Sequence, residues 1–330
     1  MDDTDRKLLL LISANPRAHL GELAKKLGIS RQAVHHRIQF LTKIGVILGM
    51  TADISIYYLD AVPVMIFGRS KTASIEETLN RLGESEFSKI AVVAGCNFLY
   101  VRGDLRNISE LDGYVEFVKR AAEMPEPTVG ITCLDSGIPP DYVDGGKRKQ
   151  SYEELSPLDL KIIASLKGNA RRPIADIADM VGVSAKTVRR HLKDMISEGS
   201  LDLNVPWDPA SGEDIYTIVH VNLRDGADKV EVGRKLLSKY PLVFVRSFSN
   251  LPNLLLCALC SDKMTETRRI LREINGDEDV LSMMFNLNYF ERKYTTWRDK
   301  LPEARTLSPK KVRTHKLHHG PRRPRSSQAS

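Results

Sequence analysis

Apolar positions in the first fifty residues fall at helical spacing and break off at glycines. Leu8, Leu9, Leu11 and Ile12 recur along Asp5 to Ala14, which predicts a helix closed by Asn15-Pro16. Leu20 to Leu27 predicts a second short helix ending at Gly28, and Ser30 is placed to cap a third that runs to about Lys43. On that third helix Val34, Ile38 and Leu41 share one face, and Gly45 stops it. Val46-Ile47 then opens an extended segment with Tyr57-Tyr58 further on. Three helices followed by a strand pair predict a winged helix-turn-helix.

From about Ala61 the pattern shortens. Strands are predicted at Val62 to Phe67, Lys89 to Ala94, Phe98 to Arg102 and Thr128 to Cys133, with helices at Ser74 to Leu82 and Ser109 to Ala122. That is the βαββαβ order of a ferredoxin-like domain. The same plan returns later in the chain. Residues 5 to 49 recur without a gap at 159 to 203, so that Asp5, Asn15, Arg17, Ala24, Gly28, Ser30, Val34 and Gly45 fall on Asp159, Asn169, Arg171, Ala178, Gly182, Ser184, Val188 and Gly199. Such a length means a duplicated domain rather than a solenoid repeat. A second helix triplet covers Leu158 to Ser197. Strands follow at Tyr216 to Leu223, Leu242 to Phe248, Leu254 to Cys260 and Val280 to Asn288, with helices at Lys229 to Lys239 and Lys263 to Ile274.

The fold class expected is therefore α+β, two winged helix-turn-helix domains each followed by a ferredoxin-like βαββαβ domain. The divisions are 1–58 and 155–210 for the helix-turn-helix units, 59–136 and 211–298 for the sheet domains, 137–154 for a linker, and 299–330 for a disordered basic tail.

Charge sharpens this picture in one place. The chain of 330 residues carries a net +7, and the segment from Leu301 onward, with eight Lys/Arg against one acidic residue, accounts for all of it. A segment so basic and so poor in core-forming residues is expected to stay disordered and to neutralise phosphates. The apolar runs are too short to cross a bilayer, and the start lacks the basic and apolar stretches of a signal peptide, so a cytoplasmic protein without membrane partners is expected. Of the four cysteines, Cys257 and Cys260 look like a redox or metal pair. They lie three apart in a strand-like run, which turns them to opposite faces, so no metal and no cofactor are expected.

The third helix of each copy is the expected contact with double-stranded DNA, since a helix of this size fits the major groove. In the first copy Gln32, His36, Gln39 and Lys43 face away from the core, with Ser30, Arg31 and His35 beside them. In the second Lys186, Arg190 and Lys193 do so, flanked by Ser184, Thr187 and Arg189, and neither face is expected to carry an acid. Gln32 and Gln39 favour adenine, whereas Lys186 and Arg190 favour guanine or phosphate, which predicts unlike half-sites about one helical turn apart.

The stretches Asp5-Arg-Lys-Leu-Leu-Leu-Leu, Leu23-Ala-Lys-Lys-Leu-Gly-Ile-Ser30 and Gly45-Val-Ile-Leu-Gly49, with their second-copy counterparts, resemble the Lrp/AsnC family of transcription regulators. In that family the winged helix precedes a βαββαβ domain that dimerises and binds amino acids or similar effectors. The resemblance implies a fused pseudo-dimer that regulates transcription, assembles further as a homo-oligomer and responds to a small-molecule effector. The family's effector site lies by the turn between the middle strands, near a glycine followed by an acid. Here those turns are Ala94-Gly95-Cys96-Asn97 and Ser249-Asn250-Leu251-Pro252-Asn253, so Gly95, Asn97, Asn250 and Asn253 become the effector candidates. Asparagine in place of the acid argues against a free amino acid as ligand.

Two alternatives share this plan: a sirohaem decarboxylase-like enzyme, and an effector-sensing protein without DNA binding. Porphyrin chemistry asks for basic groups lining the sheet domains, yet His220 is the single histidine in either of them. No nucleophile motif or phosphate loop appears, so an enzyme is not expected.

Overall fold

The computed structural model describes residues 1–133 and 155–307 except 57, 207, 209–210, 213 and 241. The linker expected at 137–154 and the basic residues beyond 307 lie outside them.

The first unit opens with α1 (Asp3–Ala14), α2 (Leu20–Leu27) and α3 (Arg31–Lys43), followed by the short strand β1 (Thr51–Ile54). The second unit has α6 (Pro157–Leu166), α7 (Ile174–Val181), α8 (Ala185–Glu198) and β6 (Leu201–Asn204). Between them come β2 (Val62–Arg69), α4 (Ile75–Leu82), β3 (Ser88–Ala94), β4 (Phe98–Leu105), α5 (Leu111–Ala121) and β5 (Thr128–Ile131). After them come β7 (Ile215–Leu223), α9 (Lys229–Lys239), β8 (Leu242–Ser247), β9 (Leu254–Ser261), α10 (Met264–Asn275), β10 (Val280–Lys293) and α11 (Trp297–Leu307).

The expected strand pair within each helix-turn-helix unit is replaced by a pairing between units. β1 runs antiparallel to β6, from Thr51 opposite Asn204 to Ile54 opposite Leu201. One short strand per copy leaves a row of open backbone groups, and the other copy's strand satisfies them. The exchange reaches the cores. Ala52 and Ile54 are buried among Leu160, Ile163, Ile177 and Val188 of the second unit, while Val205 packs with Leu8, Ile12 and Leu41 of the first.

The two sheet domains are likewise not separate. Their strands form a single eight-stranded sheet in the order β5-β2-β4-β3-β10-β7-β9-β8. β10 runs on to Lys293, five residues past the expected Asn288, because its first half pairs with β7 and its second half with β3. The far edges also meet: Thr132 bridges Phe248, and the amides of Cys133 and Ser249 donate to the carbonyls of Ser247 and Ile131 at 2.9 Å. In both seams the fourth strand of one domain lies against the second strand of the other, so the halves are related as in a two-fold dimer. Closure also removes the open edges that each half-sheet alone would expose.

Helices α4 and α5 cover one half-sheet around Val64, Ile66, Leu99 and Val118, and α9 and α10 cover the other around Val219, Val221, Leu255 and Ile270. The inner faces meet at Met65, Phe67, Tyr100, Ile218, Phe248 and Leu256. At Gly130 a Cβ would overlap the Phe248 ring, so this close approach at the seam requires glycine.

Residues 299–307, expected as the start of a disordered tail, belong to the helix α11. Trp297 is buried and its Nε1 donates to the Asp104 carbonyl at 2.6 Å, anchoring α11. Arg298, 5% exposed, lies 3.7 Å from Asp53, 3.9 Å from Asp104 and 3.8 Å from Asp202. Those carboxylates balance the Arg298 charge between the units and the sheet. Among the described residues no helix is long and apolar enough to cross a membrane.

Candidate nucleic-acid interface

Each recognition helix is set by a tight turn whose glycine takes a left-handed conformation, Gly28 at φ 68° and Gly182 at φ 73°. The Ser30 side chain accepts from the Ala33 amide, and that of Ser184 from the Thr187 amide, both at 3.1 Å. These two serines, expected at the interface, are therefore engaged as helix caps. Val34 and Leu41 in α3, and Val188, Leu192 and Met195 in α8, are buried beneath.

Arg31, Gln32, His35, His36, Gln39 and Lys43 are exposed on α3, as are Lys186, Arg189, Arg190 and Lys193 on α8, with Thr187 half-buried. Long donors such as Gln32, Gln39, Lys186 and Lys193 make no hydrogen bond or ion pair among the described residues, which leaves them free for a ligand. The expectation of acid-free faces is corrected at Asp194. It is exposed four residues after Arg190, which places it on the same side of α8. Phe40, 54% exposed in α3, is a contact candidate that polarity-based reasoning passed over.

Behind each face the helix is tied to the first helix of its unit. Arg37 bonds Asp5 at 2.6 Å and Asp2 at 2.8 Å, and at the equivalent position His191 Nδ1 lies 2.7 Å from Asp159. The carboxylates of Asp2 and Asp5 raise the Arg37 guanidinium above its ordinary value.

The loops before α2 and α7 lock the two units together. Arg17 donates to the carbonyls of Ala170 at 2.5 Å and Arg172 at 3.2 Å, while Arg171 donates to the carbonyl of Ala18. Asn15 and Asn169 hold these loops by accepting from the amides of Arg17 and Arg171 at 3.0 and 3.1 Å. Burial lowers both guanidinium pKa values, and for Arg17 the nearby Arg171 charge lowers it further. Sequence reasoning did not assign these residues a role, although their match in the repeat was visible.

The effector candidates are spent on the chain itself. Gly95 and Asn97 form the turn between β3 and β4, and Asn97 Nδ2 donates to the Thr72 carbonyl at 3.3 Å. Asn250 accepts from the Ile131 amide and donates to the Val129 carbonyl, both at 2.8 Å, extending the seam. Asn253 Nδ2 donates to Asp225 at 2.8 Å. Cys257 packs under the helices and Cys260 lies by Asp214, and burial pushes both thiols up to about 12, so they stay protonated.

The winged helix-turn-helix DNA-binding family model matches residues 1–47 and 155–199, the two units described above. Similar curated proteins include the HTH-type transcriptional regulators Ptr1 of Methanocaldococcus jannaschii and LrpA of Pyrococcus horikoshii. They are 38% identical over 85 residues and 35% identical over 88, each match covering 26% of this chain. The matches span 57% and 62% of those relatives, less than two thirds of their length. The crystal structure of the siroheme decarboxylase NirDL is similar in fold across 91% of this chain and 96% of its own, with a TM-score of 0.58 at 13% identity. The chain thus carries the winged helix-turn-helix unit twice and is similar over part of its length to HTH-type transcriptional regulators.

Proposed function

We propose that this protein is a sequence-specific DNA-binding transcription regulator that reads an asymmetric site with two unlike recognition helices held in one chain. The observation that carries the reading is the pair of exposed polar faces on α3 and α8, whose Gln32, Gln39, Lys186 and Lys193 make no hydrogen bond or ion pair among the described residues, each presented by a glycine turn and a serine cap. Gln32 and Gln39 suit adenine edges, and Lys186 and Arg190 suit guanine or phosphate. Similarity of part of the chain to regulators named for transcription, and the match of both units to the winged helix-turn-helix DNA-binding model, support it.

The fold shared with a siroheme decarboxylase argues only for architecture at 13% identity. His220, the one histidine of the sheet domains, is 5% exposed and packed against Phe67, Phe98 and Tyr100. That placement supports a core role over a tetrapyrrole ligand.

Selection of bound sequences from random duplexes, with the full chain and with a version ending after Leu307, tests the reading. An asymmetric motif is expected from both, with weaker, less salt-sensitive binding by the shorter version. Absence of binding at low salt, together with saturable binding of a tetrapyrrole, would sink it.

A further inference from the structure

We infer that Arg17 and Arg171 are positioning residues that fix the separation of the two recognition helices, so that the chain accepts its half-sites at one spacing only. The inference rests on the proposed DNA-binding function and goes beyond it by naming what sets the geometry of the site.

Each arginine lies in the loop that leads into the helix before the recognition helix, and each reaches the same loop of the other unit. Like charges face one another across this contact, and among the described residues no carboxylate pairs with either. Carbonyl oxygens alone hold them, and such bonds are short-range and sensitive to direction. Movement of one unit along the DNA axis relative to the other therefore breaks several bonds at once. The β1–β6 pairing next to the clasp adds the Ala170 amide on the Met50 carbonyl at 2.8 Å and the Leu48 amide on the Pro206 carbonyl at 2.9 Å. By contrast, a helix-turn-helix pair joined only through remote sheet domains could adjust its spacing with small rotations. Asn15 and Asn169 hold both arginine loops in the same turn, so both sides of the clasp are built alike.

The test uses the full chain and duplexes carrying the selected site with one or two base pairs added or removed between half-sites. Wild type is expected to lose about 10-fold or more in affinity at a two-base-pair change, which rotates one half-site by roughly a fifth of a DNA turn. The double variant Arg17→Ala with Arg171→Ala is expected to shrink that loss to about threefold, because only the β1–β6 pairing then holds the units at their spacing. If that variant does not fold, Arg17→Lys with Arg171→Lys carries the test, because an ammonium lacks the fork that spans two carbonyls. A flat spacing profile for wild type, or an equally sharp profile for whichever variant folds, overturns the inference while leaving DNA binding intact. Failure of wild type to bind any duplex at low salt rejects the proposed function and the clasp together.

Discussion

Tyr100 and His220 meet at 2.7 Å inside the closed sheet, and they come from different copies of the repeat. The Asn286 amide donates to the same hydroxyl oxygen at 2.7 Å, which leaves the Tyr100 proton for His220 Nε2 and a neutral imidazole. In the register of the sheet His220 lies opposite Leu256 where the first copy sets Phe67 opposite Tyr100. The duplicated core has thus diverged at its centre into a polar contact between halves.

Burial lowers the His220 pKa from 6.5 to about 4. The unfolded chain takes up a proton that the folded one refuses, so the contribution of this group is intact above about 6.5 and is lost as pH falls towards 4. Linkage sets its size at about 3 kcal/mol at most. Urea unfolding at pH 7.5 and pH 5 should show the loss in the wild type. His220→Phe should flatten that difference, and an unchanged pH profile in the variant would assign it to other groups.

At the opposite seam Gly130 admits the ring of Phe248. Gly130→Ala forces the ring or strand β5 to move, at a cost of about 1–3 kcal/mol typical of overpacking. The melting temperature should fall. Amide exchange should quicken first at Ile131 and Ser249, whose backbones close this edge.

The exchanged strands separate sequence position from structural place. Ile54 follows the first recognition helix, yet it is fully buried in the core of the second unit. Ile54→Ala should cost about 2–5 kcal/mol, with faster amide exchange in α6 to α8 rather than in α1 to α3. Faster exchange confined to the first unit would contradict the exchange.

Much of this was legible in the chain because it depends on local pattern. The helix triplets, their Ser30 and Ser184 caps and the βαββαβ order follow from neighbours a few residues apart. What depends on contacts between copies was not. Ile54 reads as part of a local wing, Arg17 only as a repeated position, and Arg298 as the last residue of the second sheet domain, because their partners lie more than ninety positions away. The second turn holds a related case: Asn250 satisfies a strand from the other half, which no turn preference encodes.

The unlike recognition faces predict that damage to one helix is felt at one half-site. Arg190 is exposed near the start of α8, its guanidinium 3.4 Å from His191 Nε2. If it reads guanine, Arg190→Ala should cost about 1–3 kcal/mol of binding and relax base preference only in the half-site under the second unit. Gln39 stands on α3 with no partner among the described residues, and Gln39→Ala should relax the other half-site by a comparable amount. Lys193 tells positioning from reading: as a phosphate contact its replacement by alanine should weaken all sequences alike and reduce the salt slope by about one. Selection experiments on the three variants, each repeated at two salt concentrations, measure both quantities. Equal relaxation of both half-sites by Arg190→Ala would mean that α3 and α8 do not divide the site between them.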